Sequence, residues 1–304
     1  MAEPTQRRAE TAEEFGALIG QMFVPEEVAR SIAALDPRPT DVVISPYGKC
    51  GTTWLQQAFH TLRTGGDMDF DDISAVVPWV ETAELLGIDI NAEQRAEPRG
   101  FKSHLSYDDM PRGARYIVSL RNPKDALVSM HKFMEGWFIE PGTVPIERFV
   151  HGWIGDDPQE KGYWRHLLSW WERIDEADTL LFTYEHMIED PEGHTRRLAE
   201  FCDIELDAEL LALTLERSSL AYMLDNKAKF ADAMMRAASE QRCGLPAGGD
   251  SAKVRKGGVG GHKTELQAET AARLDEIWAE LVAPRTGFAD YAALDAQIRR
   301  RAST

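Results

Sequence analysis

Short β-branched apolar runs alternate along this chain with longer stretches in which apolar residues recur every three or four positions. Asp41–Tyr47 is such a run, and Gly100–His104, Ala114–Arg121 and Thr179–Tyr184 are further strand candidates, each followed by helix or loop. Helical spacing occupies Thr52–Arg63, where Trp54, Leu55, Ala58, Phe59 and Leu62 form one stripe. It recurs over Pro123–Glu135, Lys161–Asp175, His194–Asp203, Asp207–Ser218 and Thr264–Val282. Pro123 suits a helix start, because its ring fixes φ and it lacks a donor that the first turn would leave unpaired. Two more amphipathic stretches, Thr11–Met22 and Glu26–Ala34, precede the first strand behind a polar tail over residues 1–10. Strands alternating with helices imply a parallel sheet covered on both faces. The predicted fold is therefore a single α/β domain with a central parallel β-sheet flanked by helices. Trp164, Leu167, Leu168, Trp171 and Ile174, at helical spacing, are predicted core.

The periodicity breaks over Ala231–Gly261, where Gly244, Pro246, Gly248, Gly249, Gly257, Gly258, Gly260 and Gly261 argue against regular structure. Such a segment is either a plain connection or a lid, and the basic pair Arg255-Lys256 near its end favours a lid. The organisation expected is an N-terminal helical segment over 1–35, the main domain over 36–285 with a flexible lid loop at 231–261, and a C-terminal tail over 286–304.

Composition narrows the partners. The 304 residues carry 34 Lys plus Arg against 51 Asp plus Glu, a formal charge of −17. That balance argues against nucleic acid or an anionic membrane as a general partner. Cys50, Cys202 and Cys243 have no metal-type spacing, and an odd count does not suggest a disulfide framework, so a reducing cytoplasm is the expected compartment. Met1–Gly20 lacks the apolar core of a signal peptide, and no apolar run approaches membrane-spanning length.

Ser45-Pro46-Tyr47-Gly48-Lys49-Cys50-Gly51-Thr52-Thr53-Trp54 joins the first strand to the Thr52–Arg63 helix. Unpaired N–H groups at the helix start, the positive end of its dipole, the Lys49 ammonium and two threonine hydroxyls converge there, and an anion fits that volume. The segment is not a Walker A loop, because Cys50 stands where a hydroxyl must follow the lysine.

The order Lys49-x-Gly51-Thr52-Thr53-Trp54 resembles the P-loop-like phosphosulfate-binding loop of the cytosolic sulfotransferases. Arg121-Asn122-Pro123-Lys124-Asp125 with Ser129 resembles their 3′-phosphate motif, Lys102-Ser103-His104-Leu105 their catalytic-histidine strand, and Arg255-Lys256-Gly257-Gly258 their C-terminal clamp. The four motifs occur in the family's order over roughly residues 40 to 275. The resemblance implies the donor 3′-phosphoadenosine 5′-phosphosulfate (PAPS, leaving product PAP), with no metal required. It places Lys49 beside the leaving phosphate, and Cys50, Gly51, Thr52 and Thr53 around the 5′-phosphate. His104 becomes the general base, since an imidazole titrates near working pH. Lys102 either helps stabilise the transferring group or is an ordinary salt-bridged lysine.

The same resemblance assigns Arg121, Ser129, Arg255, Lys256 and Gly257 to the 3′-phosphate, and Trp54, Tyr184, Ser218, Ser219 and Leu220 to the nucleoside. Trp54 as a core aromatic stays open. Leu220 stands where the family has phenylalanine, so less stacking on the base is expected. Lys124 and Asp125 are expected as helix-surface charges. After the clamp, Gly260-Gly261-His262-Lys263 departs from the family's Gly-Asp-Trp-Lys. A homo-oligomer stays open, but the family's dimer segment is not recognisable in Thr264–Ala272.

Val77-Pro78-Trp79-Val80, Phe133, Met134, Trp137 and Phe138 either wall an acceptor pocket near His104 or are core. An apolar wall favours a small, apolar or aromatic acceptor with a hydroxyl, or an amine, as nucleophile. Two other functions stay open: a non-catalytic PAP- or PAPS-binding regulatory protein, and a P-loop kinase, the latter opposed by the missing Walker A motif.

Overall fold

The computed structural model describes residues 7–249, 253–255 and 257–302. Its centre is a four-stranded parallel sheet in the order β2-β1-β3-β4, built from β1 (Val42–Ile44), β2 (Gly100–Lys102), β3 (Arg115–Leu120) and β4 (Thr179–Thr183). All four lie within predicted strands, and at its carboxyl end each stops short of residues that leave the ladder to form the site. Buried strands need side chains for both faces, and β1 divides its own accordingly. Val42 and Ile44 pack with Leu55, Phe59, Leu62 and Ile117 on one face, while Val43 packs with Phe101, Tyr116, Leu127 and Trp164 on the other.

The register pairs Val43 with Phe101 on one side and with Tyr116 on the other. The chain thus leaves β1 toward β2 and then crosses to β3 on the opposite side. In an open parallel sheet such a reversal leaves a crevice outside the carboxyl ends of the strands. The four segments that leave those ends begin at Ser45, Ser103, Arg121 and Tyr184.

The helix Thr52–Thr64 lies directly on β2. A Cβ added to Gly100 would come within 2.2 Å of the Phe59 ring, so the close approach of helix and strand requires glycine there. Behind the sheet, Arg99 and Asp41, 1% and 0% exposed, form a two-pronged ion pair of 2.9 and 2.6 Å that fixes the amino ends of β1 and β2.

Three expected elements need correction. Ala233–Cys243, placed in a structureless loop, is a helix. Its Ala, Met, Arg, Glu and Gln content favours helix, and no glycine or proline occurs before Gly244. It buries Met235 against Met22, Trp137 and Phe138, and Ser239 accepts the Trp137 indole N–H at 2.9 Å. The C-terminal tail is likewise largely a helix, Tyr291–Ala302, with Tyr291, Leu294 and Ile298 buried on one stripe. The Thr183 hydroxyl donates to Asp295, anchoring that helix to β4. The expected Thr264–Val282 helix starts later, at Ala268, and passes into a π turn at Trp278–Val282. Ile146–Ile154 adds a helix without a sequence expectation. Among the described residues, no helix is long and apolar enough to cross a membrane.

Candidate active site

The phosphate loop is shaped by two left-handed residues, Lys49 at φ 69 and Gly51 at φ 101. Glycine adopts such a φ freely; a lysine does so at a cost of order 1 kcal/mol, a kind of strain that concentrates at functional sites. A Cβ on Gly51 would also lie 3.1 Å from the Tyr184 ring. The loop is pinned from β3: Ser119 donates its hydroxyl to the Cys50 carbonyl, and Arg121 donates to the Lys49 carbonyl at 2.8 Å. The helix Thr52–Thr64 then starts with no side-chain cap and no acidic residue in its first turn. The Thr52 hydroxyl is buried with no protein partner, and Arg121 Nε is buried and unpartnered as well. An uncapped helix start with an orphaned hydroxyl and an orphaned guanidinium N–H is what an anionic group would satisfy. Cys50 is fully buried and its thiol is pushed up to about 12 by burial, so it contributes backbone rather than chemistry.

The Lys49 ammonium turns inward, 4.1 Å from the centre of the Phe133 ring and 3.2 Å from the Lys253 carbonyl. Burial, followed by repulsion from Lys253, lowers its pKa to about 7. Lys102 is 2% exposed, lies 3.9 Å over the Trp79 ring and 3.8 Å from Asp232, and is lowered to about 8, mainly by burial. Trp79 also touches the His104 ring, centroid to centroid 5.1 Å. Lys102 and His104 therefore share one aromatic wall.

The His104 ring is oriented by the fold. Its Nδ1 lies 2.7 Å from the Pro46 carbonyl, and its backbone N–H donates to Glu81 Oε1 at 2.7 Å. A carbonyl only accepts, so Nδ1 carries the proton and Nε2 is left with its lone pair. Burial, then the charge of Lys102, lowers the imidazole to about 3, which keeps it neutral at working pH. Burial raises the Glu81 carboxyl.

At the other end, the Arg121 guanidinium stacks 4.3 Å from the Tyr184 ring centre and donates to the Gly258 carbonyl at 2.9 Å. Tyr184 meets Trp54 edge-on at 6.0 Å. The Ser218 hydroxyl donates to Thr214 O at 2.6 Å, and Ser219 caps the helix Leu220–Asp225, so both have local backbone partners. Leu220 lies against Gly257, whose Cβ would come within 2.8 Å of it. Ser129 is half-buried on the helix Pro123–Met134. Arg255 is exposed, and Lys256 lies outside the described residues.

Asp125 corrects the expectation of a surface charge: it is 4% exposed. Its carboxylate accepts Gly260 N–H at 2.7 Å, His262 N–H at 3.1 Å and His262 Nδ1 at 2.8 Å, fastening the clamp segment to the Pro123 helix. Burial pushes this carboxyl up, and the three donors more than reverse the effect. Lys124 pairs with Asp275 at 2.6 Å, as a surface charge would.

The proposed acceptor wall divides. Val77 and Val80 are core, while Phe133 and Trp79 reach Lys49 and His104. Phe23 adds to the wall, 5.8 Å from Trp79, and Met22 and Met235 complete the cluster with Phe133 and Trp137. Sequence reasoning misses these, together with Glu81, Asp232 and Lys253; for Lys253, only its place two residues before Arg255 was a signal.

A parallel sheet with its phosphate loop, histidine and arginine at the carboxyl ends of adjacent strands defines a nucleotide-phosphate-binding α/β protein. The family description "Sulfotransferase domain" matches residues 39–285, and the chain belongs to that family of sulfuryl-transferring enzymes. It is 30% identical over 219 residues to the mouse sulfotransferase 1 family member D1, covering 67% of this chain and 73% of the relative. It is 26% identical over 277 residues to the luciferin sulfotransferase of Photinus pyralis, covering 81% and 72%. Among solved structures, mouse sulfotransferase SULT7A1 complexed with PAP superposes with a TM-score of 0.66 at 21% identity, over 92% of this chain and 95% of that one. Retinol dehydratase in complex with androsterone and inactive cofactor PAP gives 0.68 at 18%, over 91% and 95%.

Proposed function

We propose that this protein transfers a sulfuryl group from PAPS to the hydroxyl, or the amine, of a small apolar or aromatic acceptor, with His104 as general base. The observation that carries the reading is the His104 ring, held through Nδ1 on the Pro46 carbonyl with Nε2 free to take a proton, beside the ammonium of Lys102. The donor supplies an activated sulfuryl group on a phosphate leaving group. Lys49, Gly51, Thr52 and Thr53 would hold its 5′-phosphate, with Cys50 contributing its backbone. Arg121, Ser129, Arg255, Lys256 and Gly257 would hold its 3′-phosphate, and Trp54, Tyr184, Ser218, Ser219 and Leu220 would face the nucleoside. The orphaned Thr52 hydroxyl and Arg121 Nε support that fit.

The acceptor proton goes to His104 Nε2. Lys49 and Lys102 offset the charge that accumulates around the transferring group, as fixed charges in a dry site do most effectively. Phe23, Trp79, Phe133 and Trp137 would exclude water and receive the apolar body of the acceptor.

Purified protein with PAPS and a panel of phenols and alcohols should yield a sulfate ester. His104→Ala should lower turnover by about 10² to 10⁴-fold while retaining PAP affinity by calorimetry. Equal turnover by the variant would remove His104 from the mechanism. Tight PAP binding with no product across the panel would favour a regulatory protein, and preference for ATP with magnesium over PAP would favour a kinase.

A further inference from the structure

Lys253 lies in the clamp segment, two residues before Arg255, but its side chain turns inward and is only 9% exposed. Its ammonium is 2.5 Å from Asp232 Oδ1, and its carbonyl receives the Lys49 ammonium at 3.2 Å. Asp232 is 3% exposed and, at φ 54, stands in the left-handed region. The same Oδ1 lies 3.8 Å from Lys102 Nζ. One buried carboxylate thus touches two ammonium groups and stands in the field of a third, Lys49.

Fold stability gives little reason for this cluster, since a buried ion triad is often replaced by apolar side chains without loss. Strained backbone carrying a charge into a cleft points to function instead. We infer that Lys253 is a further catalytic cation for the transferring sulfuryl group, and that Asp232 is the positioning residue that holds Lys253 and Lys102 at it. This rests on the sulfotransferase reading. No bond to either residue forms or breaks; both act through charge.

The surrounding charges define the pH behaviour. Lys102 faces Glu81 and Asp72 as well as Asp232 and Lys253; Lys49 faces Arg121 and Arg255; Arg236 faces Asp232; and His104 faces Lys102 and Lys253. Asp232 favours the charged forms of Lys49 and Lys102, so its removal lowers the pH at which both lose their protons.

The test uses Lys253→Met and Asp232→Asn, the latter because asparagine tolerates a left-handed φ. Calorimetry with PAP and with intact PAPS separates the phosphate contacts from the sulfuryl contact. Lys253→Met should weaken PAPS about tenfold, the size of one charge-assisted contact, and PAP by less than about threefold. In Asp232→Asn, ¹³C-lysine NMR of the unliganded protein should show Lys49 and Lys102 titrating roughly one pH unit lower. The PAPS affinity of that variant should then fall by about tenfold more between pH 6 and pH 8.5 than in the parent. Equal weakening of PAP and PAPS by Lys253→Met, which a simple loop latch would give, overturns the inference, as do unchanged lysine titrations. If Asp232→Asn does not fold, the Lys253→Met comparison decides alone. Failure of the parent protein to bind either nucleotide would instead defeat the sulfotransferase reading itself.

Discussion

Replacing Thr52 by valine should move stability and nucleotide affinity in opposite directions. The Thr52 hydroxyl is buried at the first position of its helix and has no protein partner. A buried polar group left unpaired costs about 1–3 kcal/mol. Valine keeps the branched shape and removes that group, so the ligand-free variant should be more stable by about 1 kcal/mol, a rise in melting temperature of roughly 2 °C for a chain of this size. In the complex the same hydroxyl is expected to donate to a charged phosphate oxygen, a bond worth roughly 1.5–3 kcal/mol. The Kd for PAP should accordingly rise between about tenfold and a hundredfold. Thermal unfolding without ligand and calorimetry with PAP measure the two quantities on the same sample. A variant that melts lower than the parent and binds PAP unchanged would refute the reasoning, because the hydroxyl would then be satisfied by protein and irrelevant to phosphate. Opposed signs are the signature of a group whose partner is a ligand.

Two further predictions follow from the charges. With His104 at about 3 and Lys49 and Lys102 at about 7 and 8, kcat/KM for PAPS should stay level as pH falls through 6.5 and should decline as pH rises through 7 to 8, where the free enzyme loses its ammonium groups; an acid limb near 6.5 with a flat alkaline side would contradict this. Asp125→Ala strips the Gly260 and His262 N–H groups of their acceptor, at a cost of about 1–3 kcal/mol, and should speed proteolytic nicking between Gly244 and Gly260 while weakening PAP; cleavage at the parental rate would show that the segment is held by other contacts.

Much of the architecture was legible because buried parallel strands write themselves as continuous apolar runs. Val42–Ile44 and Arg115–Leu120 could hardly be anything else, and the phosphate loop followed from what joins the first of them to its helix. The remainder depends on contacts remote in sequence. Asp125 resembles a surface charge until Gly260 and His262 return to it, and Asp232 meets Lys102 only in three dimensions. The helix Ala233–Cys243 is obscured when the glycines after Gly244 are averaged into its window, although its own residues favour helix. At the C-terminus, Tyr291, Leu294 and Ile298 were spaced for a buried helix face that the expectation of a tail overlooks. The resemblance singles out His104, but its tautomer was not legible in the sequence, because the Pro46 carbonyl that fixes it belongs to another loop.

The distribution of indoles gives the molecule two built-in optical reporters. Of its eight tryptophans, Trp137, Trp153, Trp164, Trp170 and Trp278 are buried and Trp171 packs on Phe288. Trp54 and Trp79, partly buried like Trp171, lie one against Tyr184 and the other against His104. On the site proposed above, emission changes lost on Trp54→Phe would report nucleotide capture, and those lost on Trp79→Phe arrival of the acceptor. Stopped-flow fluorescence of these variants would then give the order in which donor and acceptor bind the proposed site without attaching any dye.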